Sequence, residues 1–297
     1  MISIDPKNIP TKDLHQYLLG IVAPRPIAFA STVDENGTPN LAPYSFFNAF
    51  SSNPPIVVFS SNRRVSDNTT KDTLHNIEKT GEVVINAVSH SILRQMAVAS
   101  VQFPKEISEF SKSGLTPVDS DLVKPPRVLE SPASMECVMK EIITLGKHGG
   151  AGHLIICEVV RIHIDERVVD GNRINPHKID LMGRMGRAYY VRASGDAIHT
   201  VVQSVLDISI GFDQLPQEVQ KSTVLTGNDL GLLAGLTQWP NKEEIEAQLS
   251  PEERLQIASL TEDRALPQLH YMAKNAIREG LIKKAASILA FQENFSK

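Results

Sequence analysis

Asn40-Leu41-Ala42-Pro43-Tyr44-Ser45-Phe46-Phe47-Asn48-Ala49-Phe50-Ser51-Ser52-Asn53-Pro54-Pro55 sets three phenylalanines and a tyrosine among small hydroxyl and amide residues, in a chain with only 5% aromatics. Aromatic clusters usually pack, so the plainer reading is a core strand beside a proline-rich turn. The functional reading is a platform for a flat ligand whose polar edges take hydrogen bonds from Ser45, Asn48 or the adjacent backbone. The flanking sequence decides the fold class. Upstream, residues 26–33 form a β-prone run closed by Asp34-Glu35-Asn36-Gly37, a hairpin signal. Downstream, strands are predicted over 55–60, 81–88, 133–139 and 153–160. The pattern of Ile162, Ile164, Glu166 and Val168 predicts a half-exposed strand over 161–169. Helices near 70–79 and 90–99 interrupt them. Many short strands with few helices argue for a barrel or sandwich rather than a doubly wound sheet.

Close behind the aromatic stretch come Ser60-Ser61-Asn62-Arg63-Arg64 and Thr69-Thr70-Lys71-Asp72-Thr73-Leu74-His75-Asn76-Ile77. Hydroxyls and cations before a helix that starts near Lys71 or Asp72 are what a phosphate requires, together with the helix's first amides. A solvated loop with a capping Thr or Asp would look the same. An aromatic platform followed so soon by a phosphate-type loop is more specific than either piece.

Beyond residue 196 the period changes. Ile198, Val201, Val202 and Val205 fall on one helical face. Ser250-Pro251-Glu252-Glu253 and Asn241-Lys242-Glu243-Glu244 carry N-cap-to-acid spacing, and helices are expected over 268–279 and 281–292 with Gly280 as the C-cap between them. Residues 196–297 hold 14 acids and 9 bases, against 20 acids and 21 bases in residues 1–195. Two regions are therefore expected, 1–195 and an acidic helical extension over 196–297, the latter read as added packing.

The 297 residues contain 41% hydrophobic and 22% charged side chains, ordinary globular usage. Two cysteines, Cys137 and Cys157, make no disulfide framework, and no signal peptide or membrane-length apolar run is visible. A cytoplasmic protein without nucleic-acid or membrane partners is expected, since no basic face stands out. Rossmann, P-loop, zinc and nucleophile-elbow motifs are missing. Gly146-Lys147-His148-Gly149-Gly150-Ala151-Gly152 fits none of them and reads as a flexible inter-strand loop. No metal site is expected.

Pro24-Arg25-Pro26-Ile27-Ala28-Phe29-Ala30-Ser31-Thr32-Val33-Asp34, Asn40 to Asn48, Lys71 to Ile77 and the late strand His153 to Val160 together resemble the flavin reductase-like, FMN-binding split-barrel family. The closest branch is that of the flavoredoxins and the flavin-reductase components of two-component monooxygenases, and the likeness covers roughly residues 10–195. It implies a mainly β fold: a six-stranded Greek-key split β-barrel with short helices, here with a C-terminal α-helical extension. It also implies a homodimer that binds FMN near the dimer interface. By position, Ser45, Phe46, Phe47 and Asn48 would line the isoalloxazine and ribityl chain. Ser60, Ser61, Arg64, Lys71, Asp72 and Thr73 would surround the phosphate, with Asp72 orienting the cations and the helix start. Ser31 and Thr32 would contact the ribityl chain or ring edge, and His153 is either a flavin or nicotinamide contact or a hydrogen-bonded residue at a strand start.

Two features depart from the family pattern. Met185 interrupts the glycines of Gly183-Arg184-Met185-Gly186, which loosens any role for Arg184 and Tyr189, and a minimal member lacks the helical tail. The function implied is an NAD(P)H-dependent flavin reductase, with NADH or NADPH as donor and a monooxygenase or other electron acceptor as partner. FMN would supply the redox chemistry, so no catalytic side chain is named. The alternatives are a non-catalytic FMN carrier or sensor whose tail recognises a partner, and a barrel that has lost flavin.

Overall fold

The structure, a computed structural model, describes residues 1–104, 107–201, 207–260 and 262–295, leaving aside the side chains of 262–265 and 292–295. The chain divides into two compact units, Met1–His199 and Thr200–Lys297.

The first unit is built on one antiparallel sheet. Its strands are β1 (Ala28–Val33), β2 (Pro39–Tyr44), β3 (Phe47–Ser52), β4 (Pro55–Ser60), β5 (Glu82–Asn86), β6 (Ala133–Thr144) and β7 (His153–Ile164), in the order β2-β1-β5-β6-β7-β4-β3. The two edge strands, β2 and β3, follow each other in sequence with only Ser45 and Phe46 between them. Three Cα steps of about 3.8 Å reach at most about 11 Å, so the sheet must curl until its edges nearly meet. That is the split barrel. The sheet has seven strands where the resemblance implied six, and the aromatic stretch is divided at Ser45-Phe46 between β2 and β3.

Burial follows the two-residue period of the strand. Ala28 and Ala30 of β1 enter a core with Val57, Phe59, Ile85, Cys137, Ile155 and Cys157. Phe29, together with Ile27 just before the strand, enters a second cluster with Leu41, Val88, Met96 and Phe110 on the opposite face. Both faces of β1 are covered, so all six of its residues are buried. In the β1–β2 hairpin the Asp34 carboxylate accepts from Asn36 N and Thr38 N, each at 2.9 Å. Gly37 completes the turn at φ +84°.

Helices decorating the barrel include α1 (Thr11–Ile21), α2 (Asp72–Thr80), α3 (Leu93–Ala99) and α4 (Glu109–Ser113). Leu74 and Ile77 bury one face of α2 against the barrel, and Gly81 ends it at φ +72°. The strand expected over 161–169 stops at Ile164. Asp165 accepts from Arg167 N and caps a 3-10 turn, Glu166–Val168, which diverts the chain from the ladder.

The second unit is helical. Helices Gly227–Ala234, Lys242–Gln248, Pro251–Ala258, Glu262–Arg278 and Ile282–Phe295 enclose a core that includes Leu233, Ile245, Ile257, Ala273 and Ala286. Capping boxes form at Asn241–Glu244 and Ser250–Glu253. Gly280 separates the last two helices at φ +78°. The helix expected over 198–205 is not there at Ile198 to Val201, which follow a 3-10 turn at Gly195–Ala197; Val202 and Val205 lie outside the described residues.

Candidate functional site

The expected site residues divide between a cation–hydroxyl cluster and a separate cleft. The cluster forms where the end of β4 meets the start of α2. Lys71 occupies the N-cap position of α2, and no side chain caps the helix. Its Nζ lies 4.6 Å from the centroid of the Tyr44 ring. Arg64 is aimed by its own loop, with Nη1 donating to Thr69 Oγ1 at 2.8 Å and Thr70 O at 2.7 Å. Neither cation forms an ion pair among the described residues. Burial, and then the nearby Arg64 charge, lower the Lys71 pKa from its usual value. Burial likewise pushes the Tyr44 phenol up to about 12, against the opposing pull of Thr73, Ser61 and Arg64.

Buried hydroxyls complete the cluster. Those of Tyr44 and Ser61 face each other, yet neither makes a well-formed hydrogen bond. A buried polar atom without a partner costs about 1–3 kcal/mol. The Asp67 carboxylate is near enough to feel the Arg64 charge, but with no ion-pair partner for either cation among the described residues, these atoms form a cradle suited to an anion. Ser60 is committed elsewhere, donating to Asn62 Oδ1 at 2.7 Å. The Thr73 hydroxyl gives its hydrogen to Asn40 Oδ1 at 2.8 Å, leaving its backbone amide at the helix start for an anion. Asp72 forms no ion pair with either cation among the described residues; it lines a small crevice with Asp34 and Glu109, and its charge still reaches the Tyr44 phenol. His153 exchanges backbone hydrogen bonds with Ser61 at 3.1 and 3.2 Å, and its Nδ1 lies 3.0 Å from Ser61 O. A carbonyl only accepts, so Nδ1 carries the proton, and the buried imidazole holds Ser61 in place.

The glycine-rich loop joins β6 to β7 and folds onto this cluster. Arg63 N donates to Ala151 O at 2.8 Å, and Gly150 N to Arg63 O at 2.9 Å. A Cβ on Gly152 would sit 2.6 Å from Ser60 Oγ, and one on Gly149 would sit 3.0 Å from Arg64 O. These glycines permit the close approach that sets the Arg64 segment, a role that turn chemistry alone did not reveal.

Ser45 and Phe46 belong to the cleft, about 300 Å³, which they line with residues of α1, α3 and the hairpin formed by Met182–Arg184 and Tyr190–Arg192. Arg25, only 4% exposed, ties those parts together. Its guanidinium donates to Leu19 O at 2.8 Å, to Val22 O, to Met185 O at 3.0 Å and to Ser45 Oγ at 3.4 Å. Burial and the neighbouring Arg184 charge lower its pKa. Sequence reading treated Arg25 only as part of a motif; its place between Pro24 and Pro26, where the backbone is stiff, was the available signal.

Other expected residues are not brought together. Ser31 and Thr32 point to opposite faces of β1, so their side chains cannot meet one ligand from the same side. The Ser31 hydroxyl is buried without a partner. Thr32 Oγ1 accepts from Asn76 Nδ2 at 3.0 Å, tying α2 to the barrel. Phe47 packs on the barrel core, and the exposed Asn48 accepts from Ala49 N at 2.8 Å. Tyr189 is 66% exposed and lines a different surface hollow.

Among the described residues, no helix is long and apolar enough to cross a membrane. Asp121, Glu136 and His163 bring three ligand-type atoms together. Both Glu136 oxygens are taken up, however, by Asp121 N at 2.8 Å, Leu122 N at 2.7 Å and His163 Nε2 at 2.6 Å.

Comparison with known proteins places this geometry. The chain is 39% identical over 184 residues to an uncharacterised protein of Aquifex aeolicus (strain VF5), covering 62% of this chain and 91% of that protein. Nitrilotriacetate monooxygenase component B from Bacillus cereus superposes with a TM-score of 0.63 at 32% identity, covering 67% of this chain and 98% of that one. Pseudomonas fluorescens 2-nitrobenzoate 2-nitroreductase superposes with a TM-score of 0.62 at 27% identity, covering 70% and 99%. The pattern of the flavin reductase like domain matches residues 22–179, a little over half of the sequence. With its split barrel and this match, the chain belongs to the flavin reductase-like family.

Proposed function

We propose that the chain binds FMN and is reduced by NADH or NADPH, acting as a flavin reductase. The observation that carries this is the cradle: Arg64 and Lys71 stand together without an ion-pair partner among the described residues, beside the orphaned hydroxyls of Ser61 and Tyr44. The residues fit a phosphate. Arg64 and Lys71 would neutralise it, the amides opening α2 would donate to it, and Ser61, held by His153, would find in it the partner it lacks. Ser45 and Phe46 would border the ring system, which supplies the redox chemistry when bound. The chain's own task is orientation and charge, and no side-chain acid or base is assigned to proton transfer.

A second reading is an FMN carrier or sensor, favoured by the helical unit Thr200–Lys297, which lies outside the residues matched by the family. The deciding measurement is a visible absorption spectrum of the protein with FMN, followed by anaerobic NADH and NADPH. Protein-bound flavin bands that bleach over many turnovers support the reductase, and bands that persist support the carrier. Absence of protein-bound flavin overturns both.

A further inference from the structure

The cleft beside Ser45 and Phe46 differs in chemistry from the phosphate cradle. Arg25, Arg184 and His15 line it, and no carboxylate does. Arg25 is committed to the hydrogen bonds that join the walls. Arg184 is not. Among the described residues its guanidinium makes one hydrogen bond, Nη2 to Arg187 O at 2.5 Å, and Cζ stands 4.4 Å from the centroid of the Tyr190 ring. It forms no ion pair among the described residues. A planar guanidinium backed by an aromatic ring, with most of its N–H donors unspent, matches a planar carboxylate better than a point anion.

The remaining walls are apolar or aromatic: Leu19, Ile27, Pro43, Met96 and Phe46, whose ring meets His15 edge-on at 6.3 Å. The volume of about 300 Å³ lies at the lower end for small-molecule sites. That leaves room for one substituted ring inside the cleft. His15, Arg184 and Tyr190 fall outside residues 22–179 matched by the family, on the parts of the first unit that flank that match.

We propose that this cleft binds a single-ring aromatic carboxylate, its carboxylate on Arg184 and its ring against Phe46, Met96 and Leu19. The proposal deepens the flavin reading by naming a second substrate class, and rests on that reading only for the idea that a flavin lies alongside.

The test is calorimetric titration of the full chain with benzoate and with benzamide, a neutral molecule of the same shape, each with and without FMN. Benzoate is expected to bind at least tenfold more tightly than benzamide. Arg184→Gln should weaken benzoate by about ten- to a hundredfold, the loss of one charge-assisted contact, and leave benzamide unchanged. Arg184→Lys keeps the charge without the planar fork and should fall between. It also serves if the glutamine variant fails to fold, which its thermal midpoint would reveal. Equal binding of the two probes, or no benzoate binding to protein that shows FMN bands, overturns the proposal. Selective benzoate binding to protein that takes up no FMN would uphold the cleft assignment and remove the flavin reading.

Discussion

Replacing Lys71 by methionine removes one charge from the proposed phosphate cradle while keeping an unbranched side chain against Tyr44. If Lys71 contacts the phosphate, its loss removes a charge-assisted hydrogen bond of about 1.5–3 kcal/mol, which weakens FMN by about 10- to 150-fold. Riboflavin has the same ring and no phosphate, so its affinity should stay within about twofold, as expected for an interaction specific to the phosphate. The unbound protein should behave in the opposite sense. Lys71 is desolvated beside Arg64 with no ion-pair partner among the described residues, so the variant should melt no lower than the parent. The pH dependence follows from the same arrangement. With its folded-state pKa below 10.5, Lys71 loses its proton before it would in the unfolded chain. Between those two pKa values the unfolded chain binds more protons, so this residue's contribution to stability rises with pH. FMN affinity falls over the same alkaline range, because the phosphate needs the charged form. Fluorescence titration of FMN and riboflavin against both proteins, with melting curves, reads all of this. Equal losses for the two flavins, or unchanged FMN binding, would refute the phosphate assignment.

Gly152→Ala places a Cβ 2.6 Å from Ser60 Oγ; strain of about 1–3 kcal/mol is expected in chemical denaturation, with weaker FMN retention because the Arg64 segment shifts. A variant as stable and as flavin-retentive as the parent would show that the loop gives way. Glu136→Gln should cost about 1.5–3 kcal/mol, read by urea denaturation, because the carboxylate holds Asp121 N, Leu122 N and His163 together. Burial alone would raise the Glu136 pKa, but those hydrogen bonds outweigh it and hold it below 4.5. Its stabilisation is therefore present above pH 4.5 and lost as pH falls through the folded-state pKa, and an acid titration of the glutamine variant should lack that component. Ser250→Ala removes one capping box of the helical unit and should lower that unit's stability by about 1 kcal/mol; circular dichroism at 222 nm during thermal melting would detect it.

What the sequence disclosed depended on the range of the interaction. The hairpin at Asp34–Gly37 and the caps at Asn241 and Ser250 are short-range devices, fixed by residues within four positions of each other, and they stand as read. The barrel-or-sandwich class was legible because many short strands with few helices do not suit a doubly wound sheet; that both faces of β1 are covered emerges only from the structure. The break at Ser45-Phe46 was not legible, because a strand and a strand with a two-residue kink share the same composition. Site residues divided on the same principle. Lys71 and Arg64 are seven residues apart, and a helix start brings them together. Arg25 and Arg184 are joined by a backbone bridge across nearly the whole first unit, and no local pattern announces it. Gly152 makes the same point from the other side. It reads as a flexible turn until Ser60 is placed 92 positions away, and then its missing Cβ becomes the reason the turn fits. The parts of a site that chain-distant backbones build together are therefore those where substitution tests most reward knowing the structure.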